Sequence, residues 1–499
     1  MRLSTYVHFA LDELLQMKSS QLIQPTDYDT FWAARLTNPD GALAYPHLLS
    51  YLMSRQHTDG SWGSQIPYVH DRLLTTLVMV LLLARFGNRE HDQVQRLAGE
   101  RYIWQHAGQL HYDAHRTVGF EMILPTLLTE AREWNIDLPY VQLQHYEGER
   151  AKKLNLLPVE HLFRTQTTAL FSLEALAGSI DLQRAEDLLL ENGSMATSPS
   201  ATAFFLGQVP DWRSRYPKST AYVEELLARE HTGLPTVAPC DIFVRASMLH
   251  HLYYGDLLAE HADSLKPYYE YLRDHWRPEG VGWASGGLRE SDDTALVLLA
   301  LKRAGYEVDG TCLLAYERKH YFAVFDHERD PSISANLHIL DALETLPEHE
   351  RPRVREKILD YVLHARRYGT FWSDKWHASV YYPTSRALMI LSPHVPDEMD
   401  TTLRWLLFTQ HANGAWGQYM PTLEETALTL LALLNYHRTI KSIACEPLHR
   451  AAEYLITSEQ PFQDRYPELW MSKTLYAPVF VIRSVILAAL GLYNDTFGK

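Results

Sequence analysis

The chain repeats itself, and the repeat limits what it can fold into. Gln56-His57-Thr58-Asp59-Gly60-Ser61-Trp62-Gly63 returns near the end as Gln410-His411-Ala412-Asn413-Gly414-Ala415-Trp416-Gly417, with a weaker copy, Pro278-Glu279-Gly280-Val281-Gly282-Trp283, between them. Each glycine suits a turn and each tryptophan a large apolar anchor. Nine residues after Trp62, Trp283, Trp372 and Trp416 stand Asp71, Asp292, Tyr381 and Glu425, and each opens an apolar run. The unit is a turn, a tryptophan, a short connector and a helix whose first turn carries a polar residue. An acid there suits the positive helix N-terminus, so capping explains part of the pattern. Helices apolar on most faces must be surrounded. The simplest all-α solution is an α/α barrel, an inner ring of such helices inside an outer amphipathic ring. First-turn residues of the inner helices then crowd at one end, which predicts Asp292, Tyr381 and Glu425 around one cavity mouth.

The repeats fall into two sets. Asn192-Gly193-Ser194-Met195, followed by Ser198-Pro199-Ser200-Ala201-Thr202-Ala203, is a degenerate unit with Met where Trp would sit, and it closes the first set. Gly233-Leu234-Pro235-Thr236-Val237-Ala238-Pro239 is the linker candidate, so two helical barrels are predicted over 21–235 and 236–499. A net charge of −15 argues against nucleic acid or anionic lipid as the main partner, and a phosphorylated substrate would need a local basic patch or a metal. The three cysteines, Cys240, Cys312 and Cys445, are far apart and form no CxxC pair, which points to a reducing cytoplasm. Residues 1–21 carry Asp12, Glu13 and Lys18 and do not read as a signal peptide. The longest apolar stretch, 73–84, includes two Thr and is shorter than a membrane span, so no transmembrane segment is expected.

Chemistry concentrates at Glu290-Ser291-Asp292-Asp293-Thr294-Ala295, three carboxyls within four positions ahead of Leu296-Val297-Leu298-Leu299. A carboxyl desolvated beside so apolar a helix holds its proton to higher pH and can act as a general acid. On these residues alone, helix capping, a glycoside hydrolase with paired carboxylates and a non-catalytic helical-repeat scaffold stay open.

The order of Tyr28-Asp29-Thr30-Phe31-Trp32, QxxDGSWG at Gln56, Val118-Gly119-Phe120-Glu121, the NGS and SPSATA segments, xxDDTA at Asp292 and Ser472-Lys473-Thr474-Leu475-Tyr476 resembles the class II diterpene cyclases over nearly the whole chain. Asp374-Lys375-Trp376-His377 and Tyr381-Tyr382 look most like the short bacterial members (halimadienyl/tuberculosinyl, kolavenyl or copalyl diphosphate synthase-like). The resemblance implies a βγ architecture. Residues 1–20 form a helix packing with the C-terminal barrel, 21–235 a γ-type barrel, and 236–499 a β-type barrel whose active site faces the interdomain cavity.

It also implies protonation-initiated cyclisation of geranylgeranyl diphosphate to a halimane-, clerodane- or labdane-type bicyclic product that keeps its diphosphate. The same chemistry on farnesyl diphosphate is the near alternative. Asp292 takes the place of the middle Asp of DxDD, the acid; Asp293 polarises it; Glu290 replaces the leading Asp; Asn336 hydrogen-bonds the acid. No DDxxD motif follows, so diphosphate ionisation is not expected. Trp283, Trp372, Trp376, Tyr381 and Tyr382 are the aromatic faces expected to line the cavity and stabilise carbocations. Lys473 and Arg72 are expected at the diphosphate, with Glu174 holding Mg²⁺. His338 and His377 read as satisfied core or rim histidines. A plant His–Asn pair that positions the terminating water is replaced by Arg245 and Gly286, which favours a rearranged skeleton. A downstream class I terpene synthase or phosphatase would take the product.

Overall fold

A computed structural model describes residues 3–17, 21–156, 162, 167–179, 181–230, 233–326, 328, 330–458, 462–463 and 465–498. The chain divides into two compact units. One comprises Met1–Leu22, Cys240–Tyr466 and Pro478–Lys499; the other comprises Ile23–Pro239 and Pro467–Ala477. Residues 467–477 therefore belong with the first set of repeats, not with 236–499. Backbone hydrogen bonds hold them there: Gln24 donates to Ala477 and Val118 to Ser472. Such bonds leave no mark in composition.

In the larger unit, helices Asp241–Tyr254, Ser291–Arg303, Ile333–Asp341, Tyr381–Leu391, Leu423–Thr439 and Val479–Phe497 pack each on the next, and the last returns to the first. Outside this closed ring lie Ala262–His275, Arg351–His364, Asp400–Phe408 and Glu446–Ser458, with Leu3–Leu15 against Val479–Phe497. Burial follows position. In Leu423–Thr439 every residue from Leu423 to Leu434 is buried, as an encircled helix requires. Glu446–Ser458 buries only Leu448, Ala451, Ala452 and Leu455, one helical stripe. Val479–Phe497 is, by length and composition, apolar enough to cross a membrane, which reading 73–84 as the longest apolar stretch missed. Here it is a ring member, buried from Val479 through Leu492 except at Arg483.

In the smaller unit, Asp27–Ala34, Val69–Phe86, Phe120–Glu133, the 3₁₀ turn Leu173–Leu176 and Pro199–Leu206 close a second ring. Pro46–Met53, Glu90–His106, His145–Leu156 and Pro217–Glu230 pack outside it. A short antiparallel hairpin pairs Trp470–Met471 with Leu475–Tyr476.

One hydrogen bond registers each repeat. The backbone N–H of the anchor residue donates to a side-chain oxygen near the start of the following ring helix: Trp62 to Thr76 at 3.0 Å, Met195 to Thr202 at 2.9 Å, Trp372 to Thr384 at 3.0 Å and Trp416 to Thr426 at 2.9 Å. Each anchor indole also donates backwards, Trp62 to the Leu52 carbonyl, Trp372 to Val362 and Trp416 to Leu406, all in or at the end of an outer helix. These indoles are fully buried. Truncating one would cost about 3–5 kcal/mol. The turn needs its glycine: Gly60 and Gly414 both have φ of +89°, and a Cβ would meet the Ala98 carbonyl at 2.7 Å or the Arg450 carbonyl at 2.5 Å.

The same register corrects two expectations. Before the acid cluster the anchor is Val281, whose N–H donates to Thr294 at 3.0 Å. Trp283 lies two residues beyond that place, half-buried with its ring edge-on to Phe325. In the next repeat the anchor is Phe322, and Asn336 stands where the others have threonine. Its Oδ1 accepts from the Phe322 N–H, and its Nδ2 donates to the Phe322 and Ser332 carbonyls.

Candidate active site

Helix Ser291–Arg303 begins at Glu290, an extended N-cap whose carboxylate accepts from the N–H groups of Asp292 at 2.5 Å and Asp293 at 2.6 Å. Ser291 ties the turn down through its N–H to the Val324 carbonyl and its hydroxyl to Ala323. Glu290 is thus the cap, a task its extra methylene over Asp does not prevent. Glu290 and Asp293 are buried, at 3% and 6% exposure. Burial first, then the charges of Asp293 and Asp292, pushes Glu290 well above the ordinary carboxyl range. Burial and the neighbouring Asp292 push Asp293 up to about 8. Three adjacent carboxyls do not all ionise together, and Asp293 keeps its proton at neutral pH.

Asp292 differs from both. About a fifth of its side chain, 22%, is open, and its Oδ1 lies 2.5 Å from Nδ1 of His338. Its other oxygen has no protein partner among the described residues. His338 projects from Ile333–Asp341, two residues beyond Asn336, and is itself buried. Asn336 therefore does not hold the acid, because its amide is engaged in registering its own repeat. His338 takes the place expected of it. The sequence offered a signal in the acceptor pattern: Thr, Asn and Thr recur just inside the ring helices, which marks Asn336 as structural.

Beneath His338 lies a buried polar network contributed by several ring helices. His250 meets the His338 ring at a centroid distance of 5.3 Å. Arg386 donates to His250 at 2.8 Å and to His251 at 3.0 Å. His250 also contacts Asp341 at 3.0 Å, and His251 contacts the Ser484 hydroxyl at 2.9 Å. Burial holds both histidines well below the ordinary imidazole value, so they stay neutral beside the guanidinium.

The residues equivalent to Asp292, two before the registering threonine, are Tyr382 and Glu424. The expected set of Asp292, Tyr381 and Glu425 is off by one in two members, since connector lengths differ between repeats. Tyr382 stacks on His377 at 4.8 Å and packs against Arg386, and His377 lies 3.5 Å from Glu424. Burial, with smaller contributions from the negative charges of Asp292 and Asp374, raises the Tyr382 phenol well above its ordinary value. Glu425 is saturated by the Gln418 N–H and the Thr422 and Ser379 hydroxyls. Tyr381 stacks on Trp405 at 5.3 Å. Trp372 is an anchor, not a cavity wall. Trp376 is half-buried with the Lys375 ammonium 5.0 Å over its ring. Arg245 donates to the Asp241 carbonyl and lies over the Tyr271 ring, while Gly286 has open space around it.

The expected diphosphate and metal residues lie in the smaller unit and are engaged there. The Lys473 ammonium reaches Glu174 at 2.8 Å, Ser198 at 2.8 Å and Ser200 at 2.7 Å, which accounts for its three hydrogens. Lys473 and Glu174 are both fully buried, and Tyr28 also donates to Glu174. Glu174 does not fit Mg²⁺: its Oε1 already holds an ammonium, and a dry site cannot supply the waters Mg²⁺ retains, although Oε2 has no hydrogen-bond partner. Arg72 donates to the Ser64, Gln65 and Ile66 carbonyls and to Asp59, so its guanidinium serves its own turn.

No protein-family model matches the chain. It is 32% identical to the type B diterpene cyclase of Mycobacterium tuberculosis over 95% of this chain and 96% of that protein. It is 28% identical to the (+)-kolavenyl diphosphate synthase of Herpetosiphon aurantiacus over 98% of each. The solved structure of ent-copalyl diphosphate synthase from Streptomyces platensis matches it with a TM-score of 0.82 at 28% identity, over 99% of both chains.

Proposed function

The chain belongs to the class II diterpene cyclases, and from that premise we propose that it protonates the terminal double bond of geranylgeranyl diphosphate and releases a bicyclic diterpenyl diphosphate with both phosphates in place. Asp292 is the acid. The observation that carries the assignment is its contact with His338 at 2.5 Å, made by the one carboxyl of the three that is not buried.

His338 donates from Nδ1 to Oδ1 of Asp292, which leaves the acidic proton on Oδ2. The terminal π pair takes that proton and leaves a tertiary cation; the next double bond closes the first ring onto it, the one after closes the second, and loss of a proton from a later carbon to a base or water ends the sequence. His338 and the N-terminus of helix Ser291–Arg303 stabilise the carboxylate left behind. Asp293 contributes by staying neutral, so that it adds no negative charge of its own beside the newly formed Asp292 carboxylate. Tyr382 offers an aromatic face worth about 0.5–2 kcal/mol to a passing cation, and its raised pKa keeps a nucleophilic phenolate away.

With Glu174 and Lys473 paired, no step here runs through Mg²⁺. The product, still charged, suits a class I terpene synthase or a phosphatase downstream. The unpaired Cys240, Cys312 and Cys445 suit a cytoplasmic location.

The test is to incubate the protein with geranylgeranyl or farnesyl diphosphate, treat with phosphatase and analyse by mass spectrometry. A cyclic C20 alcohol that disappears in Asp292→Asn supports the reading. Linear alcohols only, or a cyclic product undiminished in Asp292→Asn, would overturn it, and a product from the C15 substrate alone would correct the chain length.

A further inference from the structure

Away from the acid, the geometry points to a zinc-type metal site formed by His8, Glu260 and His261, joining helix Leu3–Leu15 to the turn that opens Ala262–His275. One ligand atom from each of the three lies within 4.8 Å of the others. His8 Nδ1 is 2.8 Å from the Ser4 carbonyl. A carbonyl only accepts, so the proton sits on Nδ1 and the lone pair of a neutral His8 is on Nε2. That Nε2 lies 3.1 Å from a carboxylate oxygen of Glu260. Two acceptors at that distance need a cation between them, either a second proton on His8 or a metal.

His261 separates the two possibilities. Its ring is 4.7 Å from that of His8, it is only 7% exposed, and its Nε2 is buried without a hydrogen-bond partner. It occupies the N-cap position of Ala262–His275 yet makes no side-chain capping bond. A protonated His8 would satisfy Glu260 and leave His261 unexplained, whereas one metal ion would satisfy all three. Two imidazoles and a carboxylate, with a water in the fourth position, are the donor set of a tetrahedral zinc-type ion and a poor set for Mg²⁺ or Ca²⁺. Asp12, one turn beyond His8 on the same helix, adds negative charge near His261. Leu3–Leu15 packs on Val479–Phe497, a ring helix, so the metal would fasten an outer helix of the barrel.

The test uses the full-length chain without an affinity tag, stripped with chelator and titrated with Zn²⁺ by calorimetry and with Co²⁺ by absorption. One saturable site is expected, with the band of a four-coordinate Co²⁺ and slower hydrogen exchange of the 3–15 amides on metal addition. His8→Gln and Glu260→Gln change exposed side chains and keep the fold; each should weaken binding by about tenfold or more. Binding that is absent, not stoichiometric or unchanged in His8→Gln overturns the site. None of these readouts involves turnover, so failure here leaves the cyclase reading intact.

Discussion

In the smaller unit the first turns of the ring helices are covered by the 470–476 hairpin. Lys473 lies against Glu174 and Ser200, and the Leu475 N–H donates to Asp71. Asp71 also accepts from the Ser64 N–H, just as Glu425 in the larger unit accepts from Gln418. At Asp292 no backbone N–H among the described residues covers the carboxyl, and a histidine reaches one oxygen while the other stays open. The same turn-and-helix design thus gives a saturated acid in one place and an available acid in another. What separates them is who supplies the hydrogen bonds. An acid saturated by fixed backbone donors stabilises the fold, and an acid with one open oxygen can trade a proton.

The largest test of that contrast pairs Asp292→Asn with Asp71→Asn. The first should lower turnover by about 10²–10⁴-fold while leaving Tm nearly unchanged. The second leaves one of two backbone donors facing an amide NH₂ and should cost about 1–3 kcal/mol of stability with kcat retained. Equal losses of activity would erase the distinction. Next comes Lys473→Met, which strands a buried Glu174 carboxylate and should destabilise by about 3–5 kcal/mol in urea titrations. Adding Glu174→Gln should recover most of that, and a failure to recover would show that Lys473 does more than neutralise Glu174.

A third expectation concerns pH. Asp293 has a folded pKa of about 8 against an ordinary 3.8. The folded state holds that proton more tightly, so the associated stability is full below 3.8 and is lost as pH rises through about 8. Thermal melts should show Tm falling across that range, and Asp293→Asn should flatten the fall. The smallest effect belongs to Asn336→Thr, which installs the residue that the other repeats use. It should cost less than about 1.5 kcal/mol and spare kcat; a hundredfold loss of activity would return Asn336 to the acid.

Much of this was legible in the sequence. The Gly and Trp repeats, read with the all-round apolar helices, gave closed α/α barrels, because such helices can be buried in few ways. The acid cluster and its place at a helix start were also visible. Spacing counted from tryptophan failed by one or two residues because connectors vary in length, and the true register lies in a threonine bond that spans a different separation in each repeat. Hence the spacing points to Tyr381 and Glu425 where Tyr382 and Glu424 stand, and to Trp283 where Val281 stands. The pairing of Lys473 with Glu174 joins residues 299 apart in sequence, beyond any local pattern. Nothing in the sequence marks His338 as the partner of the acid, because a buried histidine is more often a satisfied core residue than paired to a carboxyl.

The hairpin also sets an order of events during synthesis. Residues 23–239 leave the ribosome early, but the ammonium that neutralises Glu174 and the backbone donor at Asp71 arrive only with 467–477, after most of the other unit has been made. Until then the early-made barrel lacks both donors, so its final locking waits for 467–477 to emerge. Limited proteolysis of stalled chains, with and without 467–477, would show that delay as a late gain of protection in the early-made barrel.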